Sequence, residues 1–150
     1  MQTGPDLFDG YGAYHRDRRN LICHEIGIPL IVLGIVALLR LVIVPGWGGS
    51  LAALAAGATI LYYVVAFGRT HLFAVVVAAV GLAAIYYLAA YVAWPFAIAA
   101  FVAGWVFQFV GHAYEGKSPA FLTNLLHLLV GPLWVASHLV PRSASSSSAP

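Results

Sequence analysis

The chain has 150 residues, of which 62% are hydrophobic and 8% are charged, and its formal net charge at pH 7 is +2. Soluble domains usually carry about 25% charged residues, so the few charged side chains of this chain cannot cover a water-soluble fold. No basic run indicates a nucleic-acid partner. The length allows one domain, and we expect an all-α, polytopic transmembrane helical bundle whose solvent is the lipid bilayer.

The N-terminal segment, residues 1–20, is polar and holds half of the charges of the chain. It lacks the basic start of a cleavable signal peptide. We expect residues 1–142 to form a single integral-membrane domain. The Ser/Ala/Pro-rich residues 143–150 are typical of a disordered tail.

Four apolar stretches follow, each about as long as a helix that spans a bilayer. They are Ile26–Val44, Leu51–Phe67, Leu72–Val92 and Phe96–Tyr114. A fifth apolar segment runs from Ala120 to Val140 and is interrupted by Gly131-Pro132, because proline lacks an amide donor and clashes with the preceding turn. We expect this fifth segment to be either a kinked span or a re-entrant hairpin broken at Gly131-Pro132.

The basic residues predict the orientation of the bundle. Most of them fall on one side of the predicted crossings: Arg16, Arg18, Arg19, Arg69 and Lys117. This is the positive-inside pattern, which places that side in the cytoplasm. We expect a multi-pass protein of the bacterial inner membrane rather than of the endoplasmic reticulum, with its polar residues near the cytoplasmic face.

The same topology gathers the histidines at that face. His15 and His24 are nine residues apart and would lie on opposite sides of a straight helix, so the chain must bend near residues 15–20 to bring them together. His138 lies about 21 Å beyond Asn124 along a straight helix. It reaches the same face only if the chain reverses at Gly131-Pro132.

Imidazole and carboxylate groups in this environment suit iron, zinc or manganese. Ionisable residues inside a membrane are costly and indicate function by default. The sequence predicts a metal site formed by His15, His24 and His112, with Glu115 and His138 as further candidate ligands. Hydrogen bonding to loops or lipid headgroups is the simpler interpretation for each of the other histidines taken alone.

Two blocks carry a resemblance to a known family. In Tyr14–His24 the pattern is Tyr-His, four residues, Asn, three residues, His, and Trp105–His112 ends in Gln-Phe-Val-Gly-His and is followed by Glu115 and Asn124. Both blocks resemble the membrane family typified by the yeast 2-hydroxy fatty acid dioxygenase of phytosphingosine breakdown, with its bacterial relatives. The order of apolar segments is similar over nearly the whole chain.

The resemblance implies an Fe(II)-dependent α-oxidation, in which a 2-hydroxy long-chain fatty acid and O₂ give the fatty acid one carbon shorter plus CO₂. The implied iron ligands are the histidines of the two blocks. We expect the tautomers of these histidines to be fixed by Asn20, Gln108 or Asn124. His138 stands where the family pattern has a glutamate. The residues implied for the catalytic site are His15, Asn20, His24, His112, Glu115 and Asn124.

Other functions stay open at this level. A di-iron lipid desaturase or hydroxylase is disfavoured, because such sites resemble HxxxH and HxxHH boxes and this chain has neither. A haem-binding electron carrier could use His24 and His112 as axial ligands. A non-catalytic lipid-binding or transport protein is the third alternative. The sequence leaves the acyl-chain length and the oligomeric state undetermined.

Overall fold

The structure, a computed structural model, describes residues 4–12, 15–116, 118 and 126–138. Regular structure in these ranges is helical, apart from an isolated antiparallel bridge between Ile43 and Ser50. The all-α class is therefore confirmed. The predicted tail, residues 143–150, lies outside the described residues. The helices are α1 Gly4–Gly12, α2 Arg18–Arg40, α3 Leu51–Phe67, α4 Leu72–Leu88, α5 Trp94–Glu115 and α6 His127–His138.

Three helices are long and apolar enough to cross a membrane: α2, α5, and α4 with the 3₁₀ turn that extends it to Tyr91. The helix α3 is apolar but has only 17 residues. Large apolar side chains point away from the bundle, as with Leu61 and Val65, which are 64% and 78% exposed. These surfaces are suited to lipid and indicate a membrane protein, in which three of the four predicted crossings have spanning length.

The helix α2 begins eight residues before the predicted crossing. Asp17 is its N-cap: the backbone is extended there, and the side chain accepts a hydrogen bond from the backbone N–H of Arg19 at 2.8 Å. Such a cap satisfies an amide that has no partner inside the helix. His15 therefore precedes the helix and His24 lies within it, so the predicted bend between these two histidines is confirmed.

The helices α2 and α5 run antiparallel in close contact through small residues spaced seven apart. Gly27 faces Gly104, where a Cβ at Gly104 would lie 2.7 Å from the carbonyl oxygen of Gly27. Gly34 faces Ala97 in the same way, since a Cβ at Gly34 would lie 2.6 Å from the carbonyl oxygen of Ala97. Small residues let two backbones approach without a hydrophobic driving force, and this contact fixes α2 against α5.

The helix α6 runs without interruption through Gly131 and Pro132. Its 12 residues measure about 18 Å, against about 30 Å for the hydrocarbon core of a bilayer. A reversal of the chain at Gly131-Pro132 is therefore wrong for the described part of this segment, whereas a kinked span stays a prediction. Proline removes only one amide of this helix, and the hydroxyl of Tyr63 donates to the carbonyl oxygen of Leu129 at 2.6 Å, which anchors the preceding turn.

Candidate metal centre

Three histidines from separate parts of the chain converge at one end of the bundle. One ring nitrogen from each of His15, His24 and His112 lies within 4.8 Å of the others. His15 belongs to the turn before α2, His24 to the second turn of α2, and His112 to the last turn of α5. All three are buried, at 7%, 1% and 6% exposure. The contact between α2 and α5 places His24 beside His112, with ring centroids 4.9 Å apart.

The hydrogen bonds of two rings determine which nitrogen carries the proton. Nδ1 of His15 lies 2.7 Å from the carbonyl oxygen of Tyr11, and Nδ1 of His24 lies 2.9 Å from the carbonyl oxygen of Asn20. A carbonyl oxygen only accepts, so Nδ1 donates in both neutral rings. The Nε2 atom of each ring is then a lone-pair acceptor available to a metal ion.

These two Nε2 atoms, of His15 and His24, lie 3.0 Å apart. Two lone pairs at this separation repel each other unless a cation lies between them. Two nitrogens bound at about 2.1 Å to one ion, at a right angle, are about 3.0 Å apart. The separation therefore fits two neighbouring ligands of a single metal ion.

His112 supplies the third donor. Its Nδ1 is buried and has no hydrogen-bond partner among the described residues, although buried polar atoms are almost always paired. Three neutral imidazoles form a donor set that suits a divalent first-row transition metal. The residues present thus fit a metal ion on both geometric and chemical grounds.

Aromatic side chains surround the ring of His15. The ring of Tyr11 stacks on it at 4.1 Å with an interplanar angle of 16°, and the ring of Trp134 lies 5.0 Å away. Burial lowers the pKa of His15 to about 4, so this ring is neutral at pH 7, as metal binding requires. Neither aromatic residue was predicted to belong to the site. Tyr11 lies four residues before His15, a spacing that could have indicated a contact between them. Trp134 is distant in sequence and contacts His15 only through tertiary packing.

Glu115 and Asn20 hold the turn that carries His15. The carboxylate of Glu115 accepts hydrogen bonds from the backbone N–H groups of Arg16, at 3.1 Å, and Asp17, at 2.8 Å. It also accepts one from the side-chain amide of Asn20, at 3.1 Å. Glu115 is not among the converging donors of the histidine cluster. In this arrangement it ties the end of α5 to the start of α2.

The expected source of tautomer control is different from the observed one. Asn20 fixes the ring of His24 through its backbone carbonyl rather than its side chain. The side-chain Nε2 of Gln108 is buried and bonds to no described residue, so it does not orient a histidine. Asn124, the third candidate, lies outside the described residues. Backbone carbonyls perform this task for His15 and His24, which a side-chain pattern cannot reveal.

Replacing Glu115 with alanine is expected to weaken metal binding about 10- to 100-fold, as loss of an outer partner of a ligand typically does. The turn at Arg16 and Asp17 would lose its acceptor, so His15 would no longer be held opposite His24. Metal affinity measured by competition with a chelator tests this. Glu25→Ala, which removes a glutamate elsewhere on α2, is the matched control and should bind metal as the wild type does.

The variant Glu115→Gln distinguishes a positioning role from direct ligation. Glutamine keeps one acceptor oxygen for the two backbone amides but is a poor metal ligand. If Glu115 only positions the turn, the Glu115→Gln variant should regain most of the metal affinity that the Glu115→Ala variant loses. Equal loss of metal in both variants would show that Glu115 is a metal ligand, as the sequence allows.

The remaining histidines lie at the same end of the bundle but outside the cluster. His71 packs against Phe8 of α1, with centroids 4.3 Å apart. The ring of His127 is buried 5.9 Å from that of Tyr11. The gathering of these residues at one end follows the predicted topology.

His138 reaches this end by a route that differs from the expected one. Its ring lies 4.0 Å from that of Trp134, and its Nδ1 donates to the carbonyl oxygen of Trp134 at 2.9 Å. The expected chain reversal is unnecessary, because α6 packs alongside α1 near the cluster. With His15 and His71, His138 lines a cavity of about 700 Å³. It is not one of the converging donors.

An apolar cavity of about 430 Å³ extends from the cluster along the bundle. His24, His112 and the side chain of Gln108 line its near end, and Leu39 and Ala52 line its far end. Leu39 lies fifteen residues after His24, which corresponds to about 22 Å of helix. A polar head can therefore lie at the histidines while a long apolar chain occupies the rest of the cavity.

Comparison with known proteins identifies a family. A family model described as 2-hydroxy-palmitic acid dioxygenase Mpo1-like matches residues 1–143. No curated protein and no solved structure matches the chain.

Proposed function

The chain belongs to the Mpo1-like family, and from this membership we propose that it is an Fe(II)-dependent dioxygenase of 2-hydroxy long-chain fatty acids. The proposed reaction is α-oxidation to the fatty acid one carbon shorter plus CO₂. The observation that carries the proposal is the opening of a long apolar cavity at a cluster of three buried histidines. A fatty acid with two oxygen substituents at one end has the matching shape and polarity.

The reaction balances with O₂ as the only oxidant. The bond between C1 and C2 breaks, C1 leaves as CO₂, C2 becomes the new carboxyl carbon, and one molecule of water forms. O₂ accepts all the electrons that the substrate loses, so no separate reductant is needed. When bound, Fe(II) supplies open coordination positions for the substrate oxygens and for O₂, as in other non-haem iron oxygenases.

The residues of the chain have separate tasks in this proposal. His15, His24 and His112 hold the metal, and the backbone carbonyls behind the first two keep their Nε2 atoms unprotonated. Glu115 positions the turn that carries His15. The apolar cavity binds the acyl chain and excludes water from the site. The catalytic role of Asn124 stays a prediction.

Gln108 is assigned to the head group of the substrate. Its side chain is 6% exposed, lines the cavity next to the cluster, and has an Nε2 with no partner among the described residues. A buried donor without an acceptor is unfavourable until a ligand pairs with it. The carboxylate or the 2-hydroxyl of the substrate provides that acceptor at the end of the cavity where the metal binds.

Replacing Gln108 with leucine is expected to raise the KM for 2-hydroxypalmitate about 10- to 100-fold, because the substrate loses one hydrogen bond to a charged group. Metal content should be unchanged. The melting temperature should stay the same or rise, because leucine fills the space without burying an unpaired donor. Steady-state kinetics and thermal unfolding measure these effects. Loss of metal with an unchanged KM would instead show that Gln108 supports His112.

A haem-binding electron carrier fits the site less well. The sequence allows His24 and His112 as axial ligands, but the backbones of α2 and α5 touch at Gly27 and Gly104 and leave no room between these helices for a macrocycle. A third histidine, His15, also converges on the pair. The structure thus favours a single non-haem ion over haem.

The proposed reaction is tested by purifying the protein without oxygen, loading it with Fe(II) and adding 2-hydroxypalmitate and O₂. Pentadecanoic acid and CO₂, detected by mass spectrometry, are the expected products. Palmitate, which lacks the 2-hydroxyl, is the control substrate and should not be shortened. A protein that binds 2-hydroxypalmitate and iron but forms no shorter acid would contradict the dioxygenase and favour a non-catalytic lipid-binding protein.

A further inference from the structure

The small residues of α3 and α4 keep the apolar cavity open. On α3 the lining residues include Ala55 and Ala56, and on α4 they include Ala78 and Gly81. The opposite wall, on α2, is formed by larger side chains such as Ile35. The width available to an acyl chain therefore depends on the residues of α3 and α4.

An apolar cluster lies at the far end of the cavity. Ala52, which is 1% exposed, and Val36 belong to this cluster and also line the cavity. Leu82 and Ile85 of α4 pack against the cluster and line the same end. The cavity thus has a polar end at the histidines and an apolar end at Ala52.

Gly81 is an exposed residue that lines the cavity and has open space in front of its α-carbon. It lies in the middle of α4 and lines the cavity, and a Cβ at this position would meet no atom within 4 Å. A larger residue there would obstruct the cavity between Val77 and Ile85 without displacing backbone. The glycines within α2 and α5 differ from Gly81, because a Cβ at any of them would meet backbone atoms of the facing helix.

We propose that Gly81, with the cavity end at Ala52, determines the length of the acyl chain that the protein accepts. This inference rests on the proposed function, since it assigns the cavity to the acyl chain of the substrate. The head group is fixed at the metal end, so the terminal methyl group of a longer chain must pass Gly81 to reach Ala52. A larger side chain at position 81 would block the acyl chain before it reaches Ala52, so substrates with long acyl chains would be excluded.

The test is the variant Gly81→Leu, assayed with 2-hydroxylaurate, 2-hydroxymyristate, 2-hydroxypalmitate and 2-hydroxystearate. The ratio of kcat/KM for the longest to the shortest acid should fall by at least about tenfold relative to wild type, since even one methylene group in an apolar pocket changes discrimination by this order. Folding should be unaffected, because leucine has a higher helix propensity than glycine.

Gly57→Leu is the matched control. Gly57 is also inside an apolar helix, a Cβ there meets no atom within 4 Å, and it does not line the cavity. Its chain-length profile should equal that of the wild type. An unchanged profile in Gly81→Leu, or an equal shift in Gly57→Leu, overturns the inference.

A binding measurement separates this inference from the proposed reaction. Displacement of a fluorescent fatty acid by unhydroxylated acids of the same lengths reports on the cavity without any turnover. A shift towards shorter acids in Gly81→Leu alone supports the inference even if no product forms from any 2-hydroxy acid, which would overturn the reaction only. No shift in binding, alongside normal product formation, overturns the inference and leaves the reaction intact.

Discussion

Replacing His24 with alanine is expected to reduce metal affinity more than about hundredfold, since loss of outer partners alone costs 10- to 100-fold. Turnover of 2-hydroxypalmitate should fall with it to the background. His24 is the central donor, because its Nε2 lies 3.0 Å from that of His15 and its ring lies beside that of His112. Metal analysis of the purified variant and product analysis by mass spectrometry measure the two losses.

The fold should survive this substitution. In the metal-free protein the lone pairs of His15 and His24 repel each other, so removing one ring relieves that repulsion and offsets part of the packing that is lost. We expect the free energy of unfolding of the metal-free protein to change by only about 1 kcal/mol, a typical effect of a single mutation. The control His71→Ala removes a histidine from the same end of the bundle and should retain metal and activity. A His24→Ala protein that keeps its metal would contradict the site.

Replacing Gly104 with leucine is expected to separate α2 from α5, which would disrupt both the helix packing and the metal site. A Cβ at position 104 would lie 2.6 Å from Cγ1 of Ile31, 2.7 Å from the carbonyl oxygen of Gly27 and 2.9 Å from the backbone nitrogen of Ile31. Backbone atoms cannot move aside as a flexible side chain can. We expect a loss of about 3 kcal/mol or more, at or beyond the upper end of the range for overpacked cores.

Thermal unfolding in detergent and metal analysis test this prediction together. His24 lies on α2 and His112 on α5, so separation of the helices should remove the metal even where some protein stays folded. Gly57→Leu is the control, because position 57 has open space and should leave both the melting temperature and the metal content unchanged. A Gly104→Leu protein with wild-type stability would show that the close contact of α2 and α5 is not required.

Much of the helical arrangement follows from the sequence. The helix α3 has its predicted bounds, because the side chain of Ser50 caps its first turn and Gly68 follows its last residue. The meeting of His24 and His112 is a consequence of topology, since two antiparallel helices bring residues distant in sequence to the same level. The bend before α2 follows from helical spacing, which cannot otherwise unite His15 and His24.

Other parts could not be predicted for physical reasons. A chain reversal at Gly131-Pro132 was one of the two expected outcomes, but the helix continues through both residues, because burial of the surrounding helix faces outweighs the loss of one amide donor. Glu115 has a carboxylate suitable for a metal, and only the position of two backbone amides shows that it holds a turn. The carbonyls that orient His15 and His24 belong to the backbone, so no side-chain pattern in the sequence indicates them.

The three histidines are proposed to bind a single metal ion, and the metal content of the protein tests this most directly. Protein purified without oxygen and loaded with Fe(II) should hold one ion per chain after removal of free metal. Separate replacement of His15, His24 and His112 with alanine should each reduce this to background, while His71→Ala should not. A wild-type protein that retains no metal, or three alanine variants that all retain it, would contradict the claim.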